Sequence, residues 1–268
     1  MTGHPAHETA EIINPDSAFP VLFTCEHAGN KLPPDVMPYL GMDYTFLDSY
    51  HGYDIGIPHL ARRVSSHLGA TCILGVYSRL LIDLNREPYA HDVLHGHDDG
   101  IIIPANQDFS DKQLEERLDK YHAPFHEICA YHVDRLLEHY RNPVIFSFHS
   151  FPRHQTGYEY PFPWNFTLHY RESFGLSDIF LDFFAANYPE IHLGDNEPYD
   201  LSKPGASGAL FMHGEKRGLP NLLVGIPNDQ LLDPEGIDYW TGICIEVLCA
   251  VPEKIGVAPR HMVYGNTD

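Results

Sequence analysis

The chain has 268 residues, with 17 Lys and Arg against 37 Asp and Glu, and a formal charge of −20 when histidine is neutral. That acidic excess argues against nucleic acid or an anionic membrane surface as a partner, since both are bound through clustered cations. No apolar run reaches the roughly 18 residues of a membrane span and no signal-peptide core opens the chain, so the cytoplasm is the expected compartment. The five cysteines are odd in number and not closely spaced, which fits free thiols in a reducing compartment rather than a disulfide framework.

The first strong element is the apolar run Phe19 to Cys25, which reads as a strand and breaks into Glu26-His27-Ala28-Gly29-Asn30. A carboxylate, an imidazole and an amide thus stand where a strand leaves its sheet, the usual location of ligand sites in open α/β sheets. Cys25 borders them, either as strand packing or as a nucleophile. Asp54 follows in Tyr50-His51-Gly52-Tyr53-Asp54, just before a helix over 57–68 whose apolar Ile57, Leu60, Ala61, Val64 and Leu68 recur at helical spacing. By itself Asp54 is also the carboxylate that a helix N-terminus favours. Strands are expected over 71–76 and 80–84. In the second, Leu80, Ile82 and Leu84 would face one side, with Arg79, Asp83 and Asn85 on the other.

The segment 111–140 reads as helix with a break near Pro124, and 144–148 as a second buried strand, delivering His149-Ser150 to its end. A strand over 166–170, a helix over 177–187, a strand over 222–226 and a helix from Pro234 to Val251, capped by Asp233, complete the pattern. Alternating strands and helices indicate an α/β protein with a mostly parallel sheet. No repeat, linker or low-complexity tract divides 1–268, so one domain is expected, its core over about 18–250.

Nineteen histidines make any single one a weak candidate, so position has to select among them. His27, Asp54 and His149 supply two imidazoles and a carboxylate, a recurrent catalytic zinc set that leaves a place for water. Arg79 and Arg86 are candidates to grip a substrate carboxylate or to form internal ion pairs. His213, beside Gly214, is a candidate mobile acid or oxyanion donor.

Seven ordered segments carry a family resemblance. They are Cys25-Glu26-His27-Ala28-Gly29-Asn30, Tyr53-Asp54-Ile55-Gly56, the run from Tyr77 to Arg86, Ile103-Pro104-Ala105-Asn106, Tyr121-His122-Ala123-Pro124-Phe125-His126, Phe148-His149-Ser150-Phe151 and Gly194-Asp195-Asn196-Glu197-Pro198-Tyr199. In their order and spacing the chain resembles the N-formylglutamate amidohydrolase family. The resemblance implies a three-layer α/β/α fold, like that of the zinc exopeptidases. It also implies hydrolysis of a small N-acyl amino acid, typically N-formyl-L-glutamate, with Zn2+ or another divalent ion at His27, Asp54 and His149. Substrate would be held by Asn30, Arg79, Asn85 and Arg86. The partner is then a small molecule; oligomeric state is left open.

The resemblance departs at one place that matters for the chemistry, and at a second segment. Where family members usually carry Glu-Ile-Arg-Asn/Gln-Asp, this chain has Gly225-Ile226-Pro227-Asn228-Asp229, and Trp164-Asn165-Phe166-Thr167 is also altered. If the missing Glu is the general base, Glu26 is the expected substitute; Glu246, a carboxylate in an apolar helix, reads as a helix-surface residue. The alternatives are a non-catalytic or regulatory member that keeps fold and metal site, or a hydrolase of another N-acyl amino acid or small amide.

Overall fold

The computed structural model describes residues 8–34, 36, 41–172, 175–201 and 207–260. Seven strands form one mixed sheet: β1 (Ala10–Ile13), β2 (Val21–Cys25), β3 (Thr71–Gly75), β6 (Val144–Phe151), β7 (Phe166–His169), β8 (Leu193–Asp195) and β9 (Asn221–Pro227). Two short strands, β4 (His97–Asp98) and β5 (Ile101–Ile102), make a separate antiparallel hairpin. The sheet order is β1-β3-β2-β6-β9-β7-β8. Neighbours from β3 to β9 are parallel, whereas β1 and the β7-β8 pair run the other way.

Strand alternation divides the side chains between two helical layers. Val21, Phe23, Phe146, Phe148, Leu222 and Val224 point to one face, under the Ile57–Leu68, Leu176–Asn187 and Pro234–Lys254 helices. Leu22, Ile73, Ile145 and Leu223 point to the other, under the Ala123–His139 helix and the short Gly208–His213 helix. The three-layer α/β/α arrangement follows. On this second face the strand residues turn polar toward one end: Thr24 and Ser147 are register partners, and one step further His149 pairs with Gly225, which pairs with Thr167.

Two expectations are corrected. Residues 80–84 are not a strand but an irregular buried segment, with Leu80, Leu81, Ile82 and Leu84 all enclosed. A buried segment outside a ladder must satisfy its carbonyls by other means, and here side chains do so. Asn106 Nδ2 donates to Leu80 O (2.9 Å), Arg117 to Leu81 O (2.9 Å), His126 Nε2 to Leu84 O (2.9 Å) and His122 Nε2 to Arg86 O (2.9 Å). This explains the polar residues of the Ile103–Asn106 and Tyr121–His126 segments without assigning them chemistry.

The second correction concerns Pro124, which does not break the helix. The Asp111–Arg117 helix runs into a π-helical turn at Leu118–His122 and on into Ala123–His139. Placed in the first turn after that widened segment, the proline removes a donor the helix does not need there. The Asp233 cap is present, its side chain accepting from Gly236 N. β1, β8 and the Gly208–His213 helix have no counterpart among the expected elements.

Candidate active site

His27 follows β2 and His149 stands in the last turn of pleat of β6, so both lie toward the carboxyl ends of neighbouring parallel strands. Asp54 reaches them from the loop before the Ile57–Leu68 helix. Its backbone N–H donates to His27 O (2.8 Å), which ties the two loops together. The turn into the helix passes through Gly56 at φ 78°, packed so closely on Leu231 that a Cβ would lie 2.3 Å from Leu231 Cβ. Only glycine meets both demands, and the turn leaves the Asp54 carboxylate aimed inward.

One ligand atom each from His27, Asp54 and His149 lies within 4.8 Å of the others. Their donor pattern is informative. Burial holds His27 below the usual histidine range, so it is neutral, with one proton to give. Asp83 Oδ1, 2.6 Å from His27 Nε2, can only accept, because the Asp83 carboxyl is held well below its ordinary value by His27 and His95 against the cost of burial. The proton therefore sits on Nε2. The Nδ1 lone pair then faces the Asp54 Oδ2 lone pair at 3.9 Å, an arrangement that calls for a cation between them.

His149 completes the set. Its Nδ1 is 2.8 Å from Asp54 Oδ2 and its Nε2 is 3.1 Å from Glu26 Oε2. Against burial, these two carboxylates push His149 up to about 9. Glu26, although buried, is brought down to about 2 by His149 with help from Thr24 and Ser147, and Asp54 lies below its usual range through Arg79 and His149. Without a metal, a proton on His149 supplies the positive charge that the carboxylates require. The set fits a divalent ion: two imidazoles and a carboxylate, with Asp83 and Glu26 gripping the outer nitrogens as supporting carboxylates do.

His27, Asp54, Asp83 and His149 line a cavity of about 630 Å³ together with Tyr50, Arg79, Asn85, Arg86, Asp98, Asp99, Gln155, His169, Tyr199 and Gly225. Arg79 pairs with Asp54 Oδ1, and Arg86 Nε lies 3.1 Å from Asp92 Oδ2 and 3.7 Å from Asp83 Oδ2. Both guanidiniums face the cavity while held by carboxylates, so the two readings of these arginines coexist.

Gly225 lies between His149 and Thr167 in register and presents no side chain. A Cβ there would stand 2.5 Å from Thr167 Oγ1 and 3.2 Å from the Phe151 ring, so the wall has closed over the position. Thr167 Oγ1 is bonded to His169 Nε2 (2.8 Å), and His169 Nδ1 donates to Tyr199 O (2.8 Å). Burial lowers His169 to about 4 and keeps it neutral.

The structure brings together seven of the nine candidate residues and separates two. Glu26 is near the metal set but behind it, fully enclosed under the His149 ring rather than facing the cavity, and its Oε1 has no partner among the described residues. Arg79, Asn85, Arg86, His27, Asp54 and His149 line the cavity. Asn30 does not line it: its amide donates to Asp48 Oδ1 (2.7 Å). His213 is buried in the second helical layer, its Nε2 2.9 Å from His126 Nδ1 and outside the cavity. Cys25 is enclosed in the opposite core.

Sequence reasoning missed Asp83 as the partner of His27, and the cavity residues His95, Asp98, Asp99, His169 and Tyr199. The segment His95-Gly96-His97-Asp98-Asp99-Gly100, dense in imidazole and carboxylate around an Asp-Gly turn, was the available signal.

A mostly parallel α/β sheet flanked by helices, with a polar cavity at the carboxyl ends of its parallel strands, is the arrangement in which such sheets bind ligands, and the His27, Asp54 and His149 group on its floor could hold a metal ion. The particular group follows from comparison of sequence. The chain belongs to the N-formylglutamate amidohydrolase family, whose pattern matches residues 19–232. Among solved structures it is similar to the product Atu2144 of Agrobacterium tumefaciens, at 23 % identity and a TM-score of 0.84, over 92 % of this chain and 96 % of that one. It is also similar to the N-formylglutamate amidohydrolase of Ralstonia eutropha JMP134, at 16 % identity and a TM-score of 0.68, over 92 % and 98 %. At these identities the likeness is one of fold. A comparison with curated proteins finds no match.

Proposed function

We propose that this chain hydrolyses the amide bond of a small N-acyl amino acid, with N-formyl-L-glutamate as the first substrate to test. The observation that carries the reading is the inward-facing His27, Asp54 and His149 set on the floor of a cavity that also presents Arg79 and Arg86. Membership of the family supports it. A divalent ion, expected to be Zn2+, would be held by these three residues, and when bound it polarises a carbonyl and brings the pKa of a water to roughly 7.

The chain's own residues do the rest. Arg79 lies against Asp54 and fixes its carboxylate, and Asp83 holds His27 with Nδ1 turned inward. Glu26 and Ser147 hold the far side of His149, so Glu26 serves this reading as a positioning residue. Arg86, at the cavity wall, offers a planar fork to a substrate carboxylate. Asn85 is fixed beside it by its N–H to Asp83 Oδ1 (2.7 Å) and by Ser207 Oγ (3.2 Å).

One observation favours a second reading, a member that keeps the metal set without turnover: Gly225 leaves no carboxylate on the strand next to His149. Formate release from N-formyl-L-glutamate, by zinc-loaded protein beside a chelated sample, separates the two. Zinc-dependent release supports the hydrolase. Absence of release across a panel of N-acyl amino acids, with metal bound, supports the second reading.

A further inference from the structure

Hydrolysis of an amide needs a group that takes a proton from water and returns one to the departing nitrogen. The cavity's carboxylates are engaged: Asp54 by Arg79 and His149, Asp83 by His27 and His95, Asp98 by His51, and Asp99 by Tyr50 Oη and Thr156 N, and Asp200 is not without a partner. His169 has both nitrogens occupied, and Gly225 has no side chain. One lining imidazole remains. His95 Nε2 lies 2.6 Å from Asp83 Oδ2, which Arg86 Nε also approaches at 3.7 Å, so Nε2 is the ring nitrogen committed to that carboxylate and Nδ1 is the one left for a ligand. Nδ1 has no hydrogen-bond partner among the described residues, and the half-buried ring lines the cavity.

We propose that His95, oriented by Asp83, is the proton-transfer group of this site and serves the nitrogen that leaves from the amino-acid half of the substrate. Two placements support it. Asp83 grips His27 through Oδ1 and His95 through Oδ2, so one carboxylate sets a metal-facing ring and a cavity-facing ring side by side. Arg86 Nε approaches that same Oδ2 at 3.7 Å, which puts His95 next to the guanidinium offered to the substrate carboxylate. An α-amino nitrogen is separated from its carboxylate by a single carbon, so a group beside the carboxylate clamp is within reach of the scissile nitrogen.

In the step, water oxygen bonds to the carbonyl carbon as one O–H bond breaks, and His95 Nδ1 takes the proton. The C–N bond then breaks, Nδ1 gives that proton to the nitrogen, and the imidazole returns to its starting form. The products are a carboxylic acid and an amine, and no reactant beyond water and the amide is consumed. Asp83 keeps the Nε2 proton in place and steadies the imidazolium that forms in between, the usual role of a carboxylate behind a histidine.

The inference rests on the hydrolase reading, and the experiment separates the two. His95→Ala and His95→Gln are compared with the unaltered full-length chain for zinc content, zinc affinity by dye competition, and turnover. Expected are unchanged zinc content and affinity, a fall in kcat of about 10²–10⁴-fold with KM little altered, and partial recovery of His95→Ala by added imidazole. The loss should shrink on an ester analogue whose leaving group needs no proton. Full activity in both variants overturns the inference and leaves the hydrolase reading standing. Loss of zinc, or an equal loss on amide and ester with no imidazole recovery, also overturns it, since His95 would then act only by supporting Asp83. No turnover by the unaltered, zinc-loaded chain overturns both.

Discussion

His213 shows how far burial alone explains the behaviour of a histidine. Its Nε2 donates to His126 Nδ1 at 2.9 Å, because His126 has already committed its own proton, at Nε2, to Leu84 O. Nδ1 of His213 is enclosed with no partner, so an added proton would place a charge where nothing accepts it. Burial first, and the charge of Arg217 second, lower His213 to about 4. The unfolded chain binds a proton near the ordinary value of 6.5, so it binds more protons than the folded chain between about pH 6.5 and 4. Stability from this group is therefore fully present above 6.5 and is lost as the pH falls through that window. The interval corresponds to at most about 3.4 kcal/mol at about 1.36 kcal/mol per pH unit, and about 3 kcal/mol of it is gone at pH 4. Urea unfolding of the metal-free wild type and of His213→Gln, each at pH 7 and pH 4, measures it. The glutamine keeps a donor toward His126 but does not titrate, so the acid-induced loss should be smaller in the variant by about 2–3 kcal/mol. Equal losses in the two proteins would refute the argument.

Other expectations follow from the site. Gly225→Ala forces a Cβ to within 2.5 Å of Thr167 Oγ1 and should destabilise the fold by about 1–3 kcal/mol, seen as a lower urea midpoint; an unchanged midpoint would mean that the wall yields freely. Asp83→Asn replaces the carboxylate behind His27 and should weaken zinc binding by about 10–100-fold in a competition assay, whereas an unchanged affinity would remove Asp83 from that supporting role. Glu26→Gln should weaken zinc by a similar factor of about 10–100 through His149. Wild-type zinc affinity together with a collapse of kcat would instead return Glu26 to the role of base. Arg86→Ala should raise KM for a carboxylate substrate by about 10–100-fold, the worth of a charged hydrogen bond of about 1.5–3 kcal/mol; an unchanged KM would show that Arg86 serves only Asp83 and Asp92.

Much of the fold is legible in the sequence because its signals are local. The Ile57–Leu68 helix carries its apolar stripe and its glycine stop in a single stretch, and β2, β6 and β9 are apolar runs buried on both faces. His27, Asp54 and His149 could be singled out for the same reason, each standing at a recognisable boundary between elements. What the sequence leaves open is decided by contacts between distant segments. Leu80–Leu84 alternates like a strand, yet its carbonyls are claimed by Asn106, Arg117 and His126 from 26, 36 and 42 residues away, so no ladder is needed. The placement of Glu26 is of this kind: adjacency to His27 in the chain suggests a shared site, but side chains alternate along an extended backbone, and only the packing of β2 against β6 puts its carboxylate under His149. Asp83 and His95 meet through a turn that no local pattern specifies. Periodicity and chain breaks are set by neighbouring residues, which a sequence displays; the partner of a buried charge is set by whichever distant group the sheet brings within 3 Å, which only the tertiary structure decides.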